Sequence, residues 1–298
     1  METLSSIRNT KDFLSTIKKK GQTIGFVPTM GALHRGHISL LERAKRENNI
    51  AVSSIFVNPL QFNDKKDLEK YPRTLESDIE KLKSAHCDVL FAPTTEEMYP
   101  SAPIKREEED DKTGIDLGML DKVMEGMHRP GHFNGVCVVV KKLFEIVQPD
   151  KAYFGEKDFQ QLSIIKNMVK KLNMPVEIVS CPTVREADGL AMSSRNTFLT
   201  GDERKNSANI YKTLMEAKAK VLISNDSSVA DKDLTVSALK NWVEDKINEN
   251  PFLQLEYFEL VNSDSLMPID SWEDAKNIRA CIAVKVGSVR LIDNIAFS

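Results

Sequence analysis

What the chain lacks narrows it first. Across 298 residues there are only four cysteines, Cys87, Cys137, Cys181 and Cys281, far apart and with no C-x-x-C pair. Such spacing reads neither as a disulfide framework nor as a zinc cluster. The expectation is four buried, small apolar side chains in a reducing cytoplasm. Wholly apolar runs extend for a few residues at most, and Met1-Glu-Thr-Leu-Ser-Ser6 has no basic stretch leading into an apolar one. Neither a membrane span nor a secretory leader is expected. Forty-one Lys and Arg stand against 44 Asp and Glu, a net charge of −3, so no basic excess is available to hold a phosphate backbone. Nucleic acid is therefore not the expected partner. With 13 glycines and 41% hydrophobic residues, the composition is that of a globular protein rather than a fibrous or disordered one. There is no internal repeat.

Two phosphate-binding patterns are absent as well. Neither G-x-G-x-x-G nor G-x-x-x-x-G-K-[ST] occurs, which argues against a simple dinucleotide dehydrogenase or P-loop ATPase. What is present is alternation. Thr10 is placed to cap a helix whose face carries Phe13, Leu14 and Ile17, with Gly21 as its left-handed terminator. Thr23 to Pro28 reads as a strand, Ile38 to Asn48 as a helix and Ile50 to Val57 as a second strand. Polar residues 58–71 read as loop. Leu75, Ile79 and Leu82 mark a helix face, and Asp88 to Ala92 a third strand. Phe133 to Val147 is rich in β-branched residues, yet Val136, Val140, Leu143 and Val147 recur at helical spacing, and periodicity decides for helix. Strand Ala152 to Phe154, a helix faced by Leu162, Ile165, Met168 and Leu172, and strand Val176 to Ser180 follow. Five strands separated by helices predict a doubly wound parallel α/β sheet.

Beyond Arg185 the pattern changes. Thr200-Gly-Asp-Glu203 is a capping box opening a long helix, a second helix lies near Leu234 to Ile247, and three strands close the chain. Gly287-Ser288 separates the last two as a hairpin turn. At roughly 150 residues per domain, the division expected is a doubly wound α/β domain over 1–184 and a smaller α+β domain over 185–298. The segment from Lys105 to Asp116, containing Glu107-Glu-Glu-Asp-Asp111, reads as a solvated loop by its charge.

Three stretches can carry chemistry. Pro28-Thr-Met-Gly-Ala-Leu-His-Arg-Gly-His37 occupies the first strand-to-helix turn, where a doubly wound sheet binds anions. His34 and His37 can donate to phosphate oxygens there, Gly31 and Gly36 admit a close approach, and the plain alternative is one surface and one capping histidine. Ala191-Met-Ser-Ser-Arg195 offers backbone N–H groups, the hydroxyls of Ser193 and Ser194 and the Arg195 guanidinium to a polyphosphate; alone it reads as an ordinary loop. Gly155-Glu-Lys-Asp158 follows a strand. Lys157 can face transferring phosphates and Asp158 ribose hydroxyls or magnesium, the alternative being a charged turn. Asn58-Pro-Leu-Gln61 supplies neutral amides for a hydroxyl or carboxylate. The first two stretches together resemble the HIGH and KMSKS-type signatures of class I adenylate-forming nucleotidyltransferases.

The resemblance becomes specific when more stretches are taken in order: PTMGALHRGH from Pro28, FVNPLQF from Phe56, YPRTLESD from Tyr71, FAPTTEEMYP from Phe91, EGMHRPGHFNGV from Glu125, QPDKAYFGEKDFQQL from Gln148, and PTVREADGLAMSSRNTFL from Pro182. They span the first two-thirds of the chain, which is identified as resembling the pantoate–β-alanine ligases. The resemblance implies a Rossmann-like domain of the class I nucleotidyltransferase type, a C-terminal domain that closes as a lid, and a cytoplasmic homodimer. It implies ATP with Mg2+, pantoate and β-alanine as reactants, joined through a pantoyl adenylate with release of pyrophosphate and AMP. It assigns His34, His37, Lys157, Ser193, Ser194 and Arg195 to catalysis, His37 as proton donor. Met30, Gly31, Gly155, Glu156, Asp158, Val184 and Met192 line the ATP pocket. Gln61 and Gln161 hold pantoate, Gln61 also β-alanine; Asn58, Arg129 and His132 are further substrate-binding candidates, with Glu125 of the same second tier. No protein side chain is assigned to the metal, which rides on the phosphates. Two rival readings are another nucleotidyltransferase of the same fold and a non-catalytic nucleotide sensor.

Overall fold

The computed structural model describes residues 1–100, 115–224 and 234–297. The chain divides into two compact units. One comprises Met1–Glu156 and Gln160–Pro182, the other Lys157–Phe159 and Thr183–Ser298.

The first unit is built on six strands, β1 (Glu2–Leu4), β2 (Ile24–Thr29), β3 (Ile50–Ile55), β4 (Val89–Phe91), β5 (Lys151–Gly155) and β6 (Glu177–Cys181). They lie in the order β1-β4-β3-β2-β5-β6, and every neighbouring pair is parallel. The five strands expected from the sequence are all present. The sixth, β1, pairs with β4 from Glu2↔Val89 to Leu4↔Phe91; three residues at an edge are too few to show a period.

Alternate side chains of these strands enter two different cores, as the two-residue period of a strand requires. Phe26, Val52, Phe91 and Ala152 face a cluster containing Leu14, Ile17, Val136, Leu143 and Ile165. Val27, Ala51, Leu90 and Tyr153 face another that contains Leu41, Ala44 and Leu82. The helices Ile7–Lys19, His132–Val147 and Phe159–Lys171 thus cover one face, and Arg35–Glu47 and Leu75–Ser84 the other. The helix His132–Val147 buries 12 of its 16 residues, which explains its strand-like apolar content: it is enclosed on nearly all sides.

Three local expectations are corrected. Helix Ile7–Lys19 is capped by Ser6, whose side chain accepts from Asn9 N–H, and not by Thr10. Thr10 lies buried inside the helix, where its hydroxyl donates back to Ser6 C=O at 2.8 Å. The helix Leu75–Ser84 buries Asp78 and Leu82, while Leu75 is 45% exposed. Residues 58–71 are not all loop, since they contain the 3₁₀ turn Pro59–Gln61 and the helix Lys65–Lys70. All four cysteines are buried and free, and burial pushes the Cys87 thiol up to about 12. Of the acidic segment, residues 105–114 lie outside the described residues.

In the second unit, β7 (Leu253–Asn262), β8 (Ile278–Val286) and β9 (Val289–Ala296) form an antiparallel sheet in that order. The helices Gly201–Ser224 and Val236–Asn248 share a core with it through Ile210, Leu214, Leu239, Val243, Ile282 and Val284. The predicted capping box is formed: Thr200 N–H donates to Glu203 Oε2 at 2.8 Å, and Glu203 N–H to Thr200 Oγ1 at 3.4 Å. Gly287, at φ +57°, turns the chain between β8 and β9.

One packing contact decides where the 3₁₀ turn Pro59–Gln61 sits. A Cβ on Gly135 would come within 2.4 Å of Leu60 O and 2.8 Å of Gln61 N, both backbone atoms. Exchanging a helical Gly for Ala ordinarily stabilises by about 1 kcal/mol. Here Gly135→Ala is expected to destabilise by about 1–3 kcal/mol, as overpacking does, read as a lowered thermal midpoint; an unchanged or raised midpoint would contradict this packing.

Candidate active site

The strand order of the first unit reverses between β2 and β5. β2 pairs with β3 along its whole length, from Ile24↔Ile50 to Thr29↔Ile55. With β5 it pairs only at Gly25↔Lys151 and Phe26↔Ala152. The carboxyl ends of β2 and β5 run on unpaired to each other, which is the switch-point geometry at which doubly wound sheets bind ligands.

The turn leaving β2 is held under strain. Gly31 has φ +83° and Ala32 φ +49°, and a non-glycine residue in the left-handed region costs about 1–2 kcal/mol. Asp78, fully buried, offsets that cost. Its Oδ2 accepts from Ala32 N–H and its Oδ1 from Leu33 N–H, both at 2.8 Å. Thr74 Oγ1 also donates to Oδ2 at 3.0 Å, and Lys81 Nζ lies 3.7 Å from Oδ1 while donating to Leu33 O at 2.8 Å. A buried carboxylate with these donors fixes two consecutive peptide groups.

That turn delivers the histidines to the start of helix Arg35–Glu47. His34 is its N-cap: Nδ1 accepts from Gly36 N–H at 3.1 Å. His37 reciprocates, its Nδ1 accepting from His34 N–H at 3.3 Å. The rings stand 4.1 Å apart between centroids. Each Nδ1 lone pair faces a backbone donor, so the proton of each neutral ring belongs on Nε2. The plain alternative of one surface and one capping histidine holds in its capping half: His34 is the N-cap and His37 caps back, with both Nδ1 atoms engaged by backbone donors.

Gln61, after β3, is ordered by the opposite polarity. Asn58 is buried, and its Oδ1 accepts from Leu60 N–H at 3.3 Å and from the Tyr99 hydroxyl at 2.9 Å. Its Nδ2 donates to Gly135 O at 3.0 Å and to Gln61 Oε1 at 3.2 Å. Gln61 Nε2 is thereby turned toward Met30 Sδ, 3.0 Å away, a weak acceptor that a ligand oxygen would outcompete. Arg129 Nη1 lies 3.1 Å from His132 Nε2. A guanidinium only donates, so His132 carries its proton on Nδ1 and donates to Gln61 C=O at 2.7 Å. Glu125 Oε2 is 3.9 Å from Arg129. Gln161 is half-buried on the helix Phe159–Lys171. Its neighbour Gln160 is instead committed to the backbone, accepting from Glu125 N–H and donating to Leu120 and Val123 carbonyls.

In the second unit, Val184 and Met192 are brought together by a hairpin. Met192 N–H donates to Val184 O at 3.0 Å, Arg185 bridges to Ala191, and Gly189 at φ +93° turns against Tyr211. The Arg204 guanidinium, at 2.6 Å, anchors the hairpin and holds the Asp188 carboxyl below its ordinary range. Ser193 then caps the 3₁₀ turn Ser194–Phe198 by accepting from Arg195 N–H at 3.2 Å. Lys157 lies in the 3₁₀ turn Glu156–Asp158 that follows Gly155, with Nζ 3.6 Å from Asp158 Oδ1.

The sequence profile of the family Pantoate-beta-alanine ligase matches residues 2–296. The chain belongs to that family. It is 50% identical over 297 residues to the pantothenate synthetase of Porphyromonas gingivalis strain W83, covering 100% of this chain and 99% of that one. To the pantothenate synthetase of Bacteroides thetaiotaomicron the identity is 49%, over the same shares. Among solved structures, the pantothenate synthetase of Thermus thermophilus superimposes with a TM-score of 0.86 at 41% identity, covering 100% of this chain and 99% of that one. The pantoate-beta-alanine ligase of Francisella tularensis, complexed with β-γ ATP and β-alanine, gives 0.76 at 36% identity, covering 100% and 98%. ATP-dependent condensation of pantoate with β-alanine through a pantoyl adenylate is the known reaction of this family.

Asp78, Gln160 and Tyr99 have no role in the sequence reading. For Asp78 a signal existed: an acid at position 78 interrupts the apolar stripe 75, 79, 82, and a charge on a buried face needs a partner. The histidine pair yields a test. His34→Asn keeps an N-cap and loses the Nε2–H, whereas His34→Ala loses both. Ala is expected to cost about 1 kcal/mol of stability and Asn almost none, measured by denaturant unfolding, while both lower ATP-dependent turnover. Equal stability losses would remove His34 from the cap.

Proposed function

We propose that this chain joins (R)-pantoate to β-alanine in two steps at the expense of ATP. A pantoate carboxylate oxygen attacks the α-phosphorus and pyrophosphate leaves. The β-alanine amine then attacks the acyl carbon of the pantoyl adenylate, loses a proton, and AMP departs with the former carboxylate oxygen. A carboxylate does not acylate an amine unaided, and the first step supplies the leaving group.

The observation that carries this reading is the reciprocal His34–His37 cap at the start of helix Arg35–Glu47, which sets both Nδ1 atoms against backbone donors, placed where the helix dipole favours phosphate. In this reading His34 and His37 hydrogen-bond phosphate oxygens as charge builds on them, with His37 the proton donor. Lys157, Ser193, Ser194 and Arg195 contact the triphosphate. Met30, Gly31, Gly155, Glu156, Asp158, Val184 and Met192 bind the remainder of ATP. Gln61 Nε2 exchanges its thioether for a pantoate oxygen and later serves β-alanine, with Gln161 as the second pantoate contact. Asn58 and His132 act on pantoate chiefly through Gln61, its side-chain polarity and its main chain respectively, with Arg129 and Glu125 behind His132.

Among the described residues no group of three or more His, Cys, Asp or Glu side chains forms a metal cage. In this reading Mg2+ is part of the substrate, entering as the ATP complex on phosphate oxygens. In this reading 1–184 is the ATP- and pantoate-binding domain and 185–298 the lid domain of a cytoplasmic homodimer, although Lys157–Phe159 and residues 183–184 group with the second unit. Among the described helices none is long and apolar enough to cross a membrane.

The test follows the oxygen. With ATP, Mg2+, β-alanine and pantoate labelled with ¹⁸O in its carboxylate, AMP is expected to carry one label, and AMP formation to stop when pantoate is omitted. Unlabelled AMP would exclude the adenylate. Pyrophosphate release without amide formation would favour a plain nucleotidyltransferase, and no AMP at all a nucleotide sensor.

A further inference from the structure

Residues Lys157–Phe159 group with the second unit although the chain on either side of them belongs to the first. The hydrogen bonds explain why. Asn294, on β9 and 4% exposed, donates from Nδ2 to Lys157 O at 2.8 Å. The orientation of that amide is set from the other side: Arg279 Nη1, on β8, donates to Asn294 Oδ1 at 2.6 Å. A guanidinium can only donate and a carbonyl can only accept, so the amide cannot turn over without losing both bonds. The same guanidinium lies over the Phe159 ring, 4.0 Å from its centroid, so two residues of the segment are held from one sheet.

The other end of the pair is equally fixed. Asn294 N–H donates to Asp293 Oδ1 at 2.7 Å, and Asp293, 4% exposed, receives both Nη atoms of Arg185 at 2.6 and 2.9 Å. Arg185 in turn lies over the Tyr211 ring at 3.8 Å. An Asn and an Asp buried side by side in a strand carry a desolvation cost that packing alone does not require. Here the Asp secures the strand end and the Asn is committed to the main chain of Lys157.

We propose that Asn294, oriented by Arg279, is a positioning residue for the first half-reaction: it fixes the main chain at Lys157 and so aims the ammonium at the transferring phosphoryl group. The proposal rests on the reading that Lys157 acts in adenylation. A displacement of about 1 Å is enough to cost a large factor in rate, and the 2.8 Å bond is a contact that ties the turn's main chain to β9.

The test is a double-mutant cycle on the full chain, with each half-reaction followed separately. Asn294→Ala is expected to slow pantoyl adenylate formation by about 10- to 100-fold. Reaction of chemically supplied pantoyl adenylate with β-alanine stays near the wild-type rate. In a Lys157→Met background, the same Asn294→Ala change is expected to cost nothing further, because the group it aims is gone. Slowing of equal factor in both backgrounds, or equal damage to both half-reactions, would make Asn294 a fold residue and overturn the proposal, as would adenylation at the wild-type rate in Asn294→Ala. Should Asn294→Ala fail to fold by circular dichroism, Arg279→Lys, which keeps the charge and loses the planar fork, runs the same cycle with the same outcomes. If Lys157→Met itself adenylates normally, the reading of Lys157 falls and the proposal with it; if Lys157→Met is slow while Asn294→Ala is not, only the proposal falls.

Discussion

The Asp78 carboxylate is the constraint on which the first-unit site depends. Without two acceptors for the N–H groups of Ala32 and Leu33, the left-handed turn after β2 has no compensation for its strain. The next residues are the histidines. Their separation from β2, their place at a helix start and the use of both Nδ1 atoms follow from that turn. A carboxylate suits the task better than an amide because it accepts on both oxygens and offers no donor to clash with either peptide.

The same logic of one-way donors and acceptors runs through the remaining polar groups. Backbone Leu60 N–H and Gly135 C=O dictate which end of Asn58 is oxygen, and Asn58 dictates the sense of Gln61. Arg129 dictates the tautomer of His132. In each case a group that can only donate, or only accept, orders an ambiguous neighbour, and the result is a donor left opposite a poor partner, Met30 Sδ. Preorganisation of this kind incurs its cost during folding rather than at the reaction step.

Much of this was legible in the sequence. The parallel sheet, the helix His132–Val147 and the β8–β9 turn follow from periodicity and turn chemistry, because these elements are long or carry a distinctive residue such as Gly287. The two stretches proposed to meet phosphate stand out because histidine, glycine and hydroxyl residues cluster there. What escaped was the support. β1 is too short to show a period. Asp78 and Asn294 stand 45 and 137 residues from the groups they hold, and nothing local in a sequence links an acid on a helix or an amide on a strand to a distant peptide. Thr10 misled for a related reason: the residue type suits a cap, but its hydroxyl was already committed to Ser6 C=O within the helix.

The central claim, that the turn and cap leave His34 and His37 both protonated on Nε2, is open to direct observation. Long-range ¹H–¹⁵N correlation of the imidazole rings at about pH 8.5, above the ordinary histidine range, distinguishes the two tautomers. The account predicts an unprotonated Nδ1 and a protonated Nε2 in both His34 and His37, with the reverse in His132 as an internal reference. A proton on Nδ1 of either His34 or His37 would contradict the reciprocal cap and, with it, the arrangement of donors on which the site is built.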